Sequence, residues 1–314
     1  MLAACAGRPI LPALETVPPT PIELRATPFF PQAEYQCGPA ALATVLGASG
    51  VETHPEALVG QVYVPARQGS LQLELLAASR RAGRIPYVIE PSLQALVAEL
   101  GAGRPVLVLQ NLGVSFMPAL HYAVVVGVDP REDRIILRSG VERRHVLTTR
   151  AFLRTWNLSN NWGMVVLQPG ELPEDGDQGR YLKAVASAEQ TLPNVARLKA
   201  YRAALKRWPE SITAQFGLAH AHYAVGDLTA AKRLYTSILQ RNPRHAAARN
   251  NLAQVLSELG CRDQAYRMAQ RALEIAREDS PEFVDAIGET LDALPKAHRD
   301  GPDCPGDDVV ELPQ

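Results

Sequence analysis

Three regimes of apolar and polar patterning divide the chain. From residue 40 to 167, short apolar blocks alternate with turn residues; beyond about 180, apolar positions fall into a helical period; before 30, prolines interrupt any period. The run Ala40-Ala-Leu-Ala-Thr-Val-Leu46 is apolar and helix-forming. It follows Gly38-Pro39, proline being tolerated in a first helical turn, and is predicted to end at Gly47. Ser70 is expected to open a helix to about Ala82, and Ser92 to cap another that stops at Gly101 and Gly103. Four β-rich blocks follow: 105–110, 121–128, 134–138 and 162–167. The block after His121 is so uniformly apolar that it must be buried on both faces. Short strands separated by turns, with one apolar helix upstream, predict an α+β domain with an antiparallel sheet packed on that helix.

Residues 169–178 turn acidic and Gly-rich, a linker by composition. A 34-residue period then appears, pairing Tyr201 with Tyr235, Pro209 with Pro243, Leu218 with Leu252, Gly226 with Gly260 and Ala231 with Ala265. That is tetratricopeptide spacing, although Gln215 stands where the repeat usually has Trp. An all-α repeat domain is expected over 179–294, followed by a disordered tail over 295–314. Such units bury their apolar faces only by stacking, and the stack offers a groove for an extended peptide or a protein partner.

Composition narrows the class. A length of 314 residues and 46% hydrophobic content suit two packed domains. A formal net charge of -1 argues against general nucleic-acid binding, and no stretch of about twenty apolar residues spans a bilayer. The His and Cys spacings do not form a zinc pattern, and no metal or other cofactor is expected. Nor do the four cysteines suggest a disulfide framework; Cys261 and Cys304 are expected to remain unpaired.

Cys37 carries the candidate chemistry. It stands at the mouth of the 40–46 helix, where unpaired amides and the positive dipole end are expected to lower the thiol pKa from about 8.5. His121 opens the buried strand and supplies a candidate general base. The loop 111–118 delivers that histidine; its Phe116 and Met117 line a substrate subsite or pack on Trp156 or Trp162. Arg138, Arg143 and Arg144 form a small basic cluster, read either as a solvated strand end or as a reader of an acidic substrate.

The segments Phe29-Phe-Pro-Gln32, Cys37-Gly-Pro-Ala-Ala-Leu42 and His121-Tyr-Ala-Val-Val-Val-Gly127 resemble papain-like cysteine peptidases of the bacteriocin-processing, double-glycine type and their free-standing relatives. The resemblance covers residues 27–168. It implies a papain-like fold, Cys37 as nucleophile, His121 as general base and Gln32 as oxyanion donor. Two departures stand out. Gln32 lies five rather than six residues before the cysteine, with Gln36 a lesser substitute. The family's Asp or Asn that orients the histidine is missing, and Ser139 occupies its position, with Asn157, Asn160 and Asn161 as alternatives. The double-glycine specificity is not carried over.

Leu2-Ala-Ala-Cys5 looks like a bacterial lipobox, which makes Cys5 the lipidation candidate. The charged and apolar segments of a signal peptide are missing before it, so the true start is expected upstream. Residues 1–26 then form a Pro-rich tether from a lipid anchor, and the protein is expected in the bacterial envelope, facing the periplasm. The expected function is a thiol peptidase whose repeats recruit a peptide substrate or partner. The alternatives are a degenerate peptide-binding scaffold lipoprotein, or a Cys/His transpeptidase or deamidase.

Overall fold

The computed structural model describes residues 20–32 and 36–294, so Cys5, most of the expected tether and the 295–314 tail lie outside the described residues. The chain forms two compact units that meet between Leu192 and Pro193.

The first unit is built around helix α1, Cys37–Ala48, in which every residue from Gly38 to Leu46 is buried. A helix that is apolar all round must be surrounded. Helices α2 (Pro55–Val62) and α3 (Gln72–Arg81) flank it. A sheet covers it, made of β1 (Ile22–Glu23), β4 (Ile85–Val88), β5 (Val106–Asn111), β6 (Leu120–Asp129), β7 (Arg134–Ser139), β8 (Glu142–Leu147) and β9 (Gly163–Leu167). The order is β4-β9-β5-β6-β7-β8, with β1 added to β6 and every pairing antiparallel. Alternate residues reach α1: Leu107 and Leu109 from β5, Tyr122, Val124 and Val126 from β6, Met164 and Val166 from β9. The alternate Gln110 donates instead to Thr155 Oγ1 in helix α5, Thr149–Asn157. Occupied on both faces, β6 is buried from Tyr122 to Val128, as its sequence requires.

Several local expectations change. Gly47 does not end α1, which continues one residue further. Ser70 does not open a helix; it lies in β3 (Gly69–Ser70), hairpinned to β2 (Tyr63–Val64), and Leu71 occupies the N-cap of α3. Ser92 does cap helix α4 (Leu93–Gly101), its hydroxyl accepting from the Ala95 amide at 3.1 Å. The expected tether reaches into the fold, since Ile22 pairs with Val128 and Glu23 with Gly127.

The linker expected at 169–178 is a strap fastened to the first unit. Tyr87 donates to Asp175 at 2.5 Å, Arg104 pairs with Glu174 at 3.0 Å, and the Glu174 amide donates to buried Glu99 at 2.8 Å. Helix α6 (Gln178–Ala188) then packs on β4 and belongs to the first compact unit, although its start precedes the helix start at Ile212 by the 34 residues of the repeat. Acidic, Gly-rich composition signals solvation in general, but here each acid meets a specific donor.

The second unit comprises α7 (Asn194–Arg207), α8 (Ile212–Tyr223), α9 (Leu228–Arg241), α10 (Ala246–Glu258), α11 (Arg262–Asp279) and α12 (Val284–Ala293). Helix starts recur every 34 residues, and Gly226 and Gly260 occupy matching left-handed turns with φ of 78° and 87°. Cys261, buried at the next position, is disulfide-bonded, contrary to the expectation of an unpaired thiol; its partner lies outside the described residues.

Gly217 of α8 faces the buried Tyr201 ring, where an added Cβ would fall 2.3 Å from ring carbons. Gly217→Ala should therefore cost the helical unit about 1–3 kcal/mol, read as a lower urea midpoint with unchanged far-ultraviolet ellipticity of the native state. A midpoint within error of the parent would show that the ring has room to move.

Candidate functional site around Cys37

Cys37 is the first residue of α1, and no side chain caps the helix there. The backbone amides of Cys37 and Gly38 instead face the thiol. The β2–β3 hairpin closes on this helix mouth so tightly that a Cβ on Gly38 would lie 2.2 Å from Ser70 Oγ. Glycine after the cysteine is thus a steric requirement of the hairpin, whose Ser70 carbonyl also accepts from the Tyr122 hydroxyl at 3.3 Å.

A small cavity of about 10 Å³ opens here, room for one water-sized group. Gln32, Cys37, Tyr122, Arg138 and Ser139 line it, together with Phe29 and Phe30. The Gln32 amide donates to the Gly140 carbonyl at 3.1 Å, tying the segment before α1 to the end of β7. Ser139 Oγ lies 2.9 Å from His121 Nε2. The hydroxyl thus engages one ring nitrogen and leaves Nδ1 as the one that can take a thiol proton. Among the described residues no hydrogen bond links the thiol to the imidazole. The thiol sits instead against the Tyr122 backbone, one residue beyond His121.

The structure therefore brings Gln32, Cys37, His121 and Ser139 into one neighbourhood, with Ser139 where the resemblance leads one to look for Asp or Asn. Of the alternatives, Asn161 is engaged elsewhere, as are the two carboxylates that flank the β6–β7 turn, Asp129 and Asp133. Asn161 donates to the Pro91 carbonyl, and Asn160 and Asn161 form a left-handed turn. Asp129 accepts from the amides of Arg131 and Glu132, and Asp133 from that of Thr149. Phe116 and Met117 do not pack on tryptophan: they are 89% and 69% exposed, while Trp156 is fully buried. Arg138, by contrast, is no solvated strand end but a buried side chain. Its signal in the sequence was a charge directly after the apolar run Ile135–Leu137, which alternation alone does not assign to a face.

Electrostatics reverse one expectation. Burial pushes the Cys37 thiol up from its ordinary value, outweighing the amides of Tyr122, Gly38 and Cys37 that favour the thiolate. Burial, then the nearby His145, holds the His121 imidazole below its ordinary value. Both shifts favour a neutral thiol and imidazole over a thiolate and imidazolium. A helix mouth lowers a thiol pKa only where water or charge reaches it.

Because the folded thiol titrates above a free one, alkylation of Cys37 by iodoacetamide in the resting protein should rise only above about pH 8.5, located by peptide mass spectrometry. A midpoint near pH 5–6, lost in His121→Ala, would instead establish a preformed ion pair.

Residues 24–164 match the Peptidase_C39 like family, and residues 223–288 match the Tetratricopeptide repeat. No curated protein matches the chain. A crystal structure described as a C39-like peptidase from Bacillus anthracis is similar at 13% identity, covering 48% of this chain and 98% of that one, with a TM-score of 0.41. The chain is thus similar to the Peptidase_C39 like family over its first matched segment and to the Tetratricopeptide repeat over its second.

Proposed function

We propose that the chain is a thiol peptidase with Cys37 as nucleophile, His121 as general base and Ser139 as the group that orients the imidazole. The observation that carries this is the cavity shared by Gln32, Cys37 and Ser139, with His121 tied to Ser139 through Nε2, inside a domain of a peptidase-like family. As a scissile carbonyl approaches, His121 Nδ1 takes the thiol proton and Sγ bonds to the carbonyl carbon. The water-sized cavity receives the oxyanion, with the Cys37 amide and the Gln32 side chain as donors. Collapse breaks the C–N bond, and the imidazolium protonates the leaving amine. Water, deprotonated by the same imidazole, then cleaves the thioester, releasing the acid and restoring the thiol. Because the resting pair is neutral, proton transfer accompanies attack rather than preceding it. In this reading the repeats recruit the peptide substrate or a protein partner.

The neutral thiol also favours one rival, a domain that binds peptides without cutting them. Cleavage of a capped random-peptide library, followed by mass spectrometry, separates the two. Cys37→Ala should abolish cleavage and His121→Ala should lower kcat/KM about 10²–10⁴-fold. Ser139→Ala, which removes one hydrogen bond, should cost about tenfold. Adding an amine acceptor identifies transpeptidation if the acceptor appears in the products. Cleavage that survives Cys37→Ala would rule out the thiol route.

The reading extends to location: a lipid on Cys5 holding the domain at the periplasmic face of a membrane. Labelled palmitate should enter the protein in its natural host and fail to enter Cys5→Ala; equal labelling of both would remove Cys5 as the anchor.

A further inference from the structure

A second cavity, of about 410 Å³, adjoins the first unit's sheet and is lined by Glu23, Arg25, Arg138, Arg143 and Arg144. Its charge is unbalanced. The one carboxylate is already engaged, Glu23 meeting Arg144 at 2.9 and 3.3 Å and Arg25 at 3.6 Å. Arg143 has no acidic partner among the described residues, and neither does Arg138.

Arg138 is the decisive residue. It is 5% exposed, and its terminal nitrogens donate only to main-chain carbonyls: Nη1 to Arg143, and Nη2 to Arg25 at 3.3 Å and Thr27 at 3.5 Å. Its Nε is buried without a partner. A structural tie between β7 and the Arg25–Thr27 segment accounts for the terminal nitrogens, but not for the idle Nε or for three more arginines around the cavity. Burying a guanidinium without a counter-charge is costly, and the cost is relieved when a ligand supplies the charge. Burial, then the neighbouring Arg143, work against the protonated form and outweigh the favourable charge of Glu23, a balance that an incoming anion would reverse. Arg138 also lines the Cys37 cavity, so the two spaces share a wall.

We propose that this arginine cavity binds a carboxylate of the peptide substrate, so that the Cys37 site selects peptides with an acidic residue near the bond presented to the thiol. The proposal rests on the peptidase reading for the word substrate, but the binding site is testable without cleavage. The planar forks of the arginines suit a carboxylate, and contact with the cleft through Arg138 suits a peptide rather than a detached ion.

The test uses the full chain carrying Cys37→Ala, immobilised and offered two capped random-peptide libraries that differ only in a scanned Glu or Gln. Retained peptides are identified by mass spectrometry. Glu peptides should be retained about tenfold over Gln peptides at one or two positions, and the ratio should fall toward one in salt of about 0.5 M. Arg143→Gln should also collapse it; Arg143 is exposed, so this variant tests the site even if Arg138→Gln, which loses three backbone ties, fails to fold. Equal retention of the two libraries would overturn the proposal. So would stabilisation by inorganic phosphate without any Glu preference, which would mark a free-anion site. Cleavage by the unmodified chain is read in parallel. Cutting without a Glu preference sinks the acidic site and spares the peptidase; Glu-selective retention without cutting upholds the site and sinks the peptidase.

Discussion

Enclosure of α1 is the constraint on which the cleft depends. Nine consecutive residues, Gly38 to Leu46, are buried, so the helix cannot lie on a surface and must be wrapped by α2, α3 and the sheet. Burying this helix fixes its axis, and fixing the axis leaves its N-terminus at the end of β6 where His121 begins. The helix mouth is then pinned twice: by the hairpin whose Ser70 touches Gly38, and by the Gln32–Gly140 backbone bond. Neither pin involves the thiol. The chemistry is positioned by groups that take no part in it, as precise placement of a reacting atom demands.

The same enclosure sets the electrostatic character of the site. A helix N-terminus in water would favour a thiolate, yet here desolvation exceeds the pull of three backbone amides. Low dielectric acts on His121 in the same sense. A neutral pair is less exposed to stray oxidants than a standing thiolate, because the thiolate is the reactive form.

Much of this was legible in the chain. Uniform apolarity from Tyr122 to Val128 announced a strand covered on both faces, and the 34-residue period located the repeats through paired glycines and alanines. Strands β5, β6, β7 and β9 fell where β-rich blocks predicted them. The failures share a cause. Edge strand β8 is polar and exposed, and β4 carries a proline, so neither has the pattern of a core strand. Ser70 looked like a helix cap because local sequence cannot register that a glycine across space needs its side chain as a lid. Cys37 and His121 were readable from type and setting, and Ser139 from its position relative to the histidine. Arg138 was not, because whether a strand residue faces core or solvent depends on register.

The strap at 169–177 bears on how such a protein can be assembled in evolution. It satisfies buried Glu99 and the Tyr87 hydroxyl, and it is followed by a helix seated on β4. Those groups belong to the core of the first unit, so the strap and α6 travel with that unit as its final layer. Repeats stack through nearest neighbours and can be gained, lost or exchanged without disturbing more distant ones. The seam for such exchange is the short stretch around Pro193, and a break before Glu174 would take the strap's amide from buried Glu99, leaving it Arg104 alone. What composition marks as a spacer is, in heritable terms, bound to the first unit.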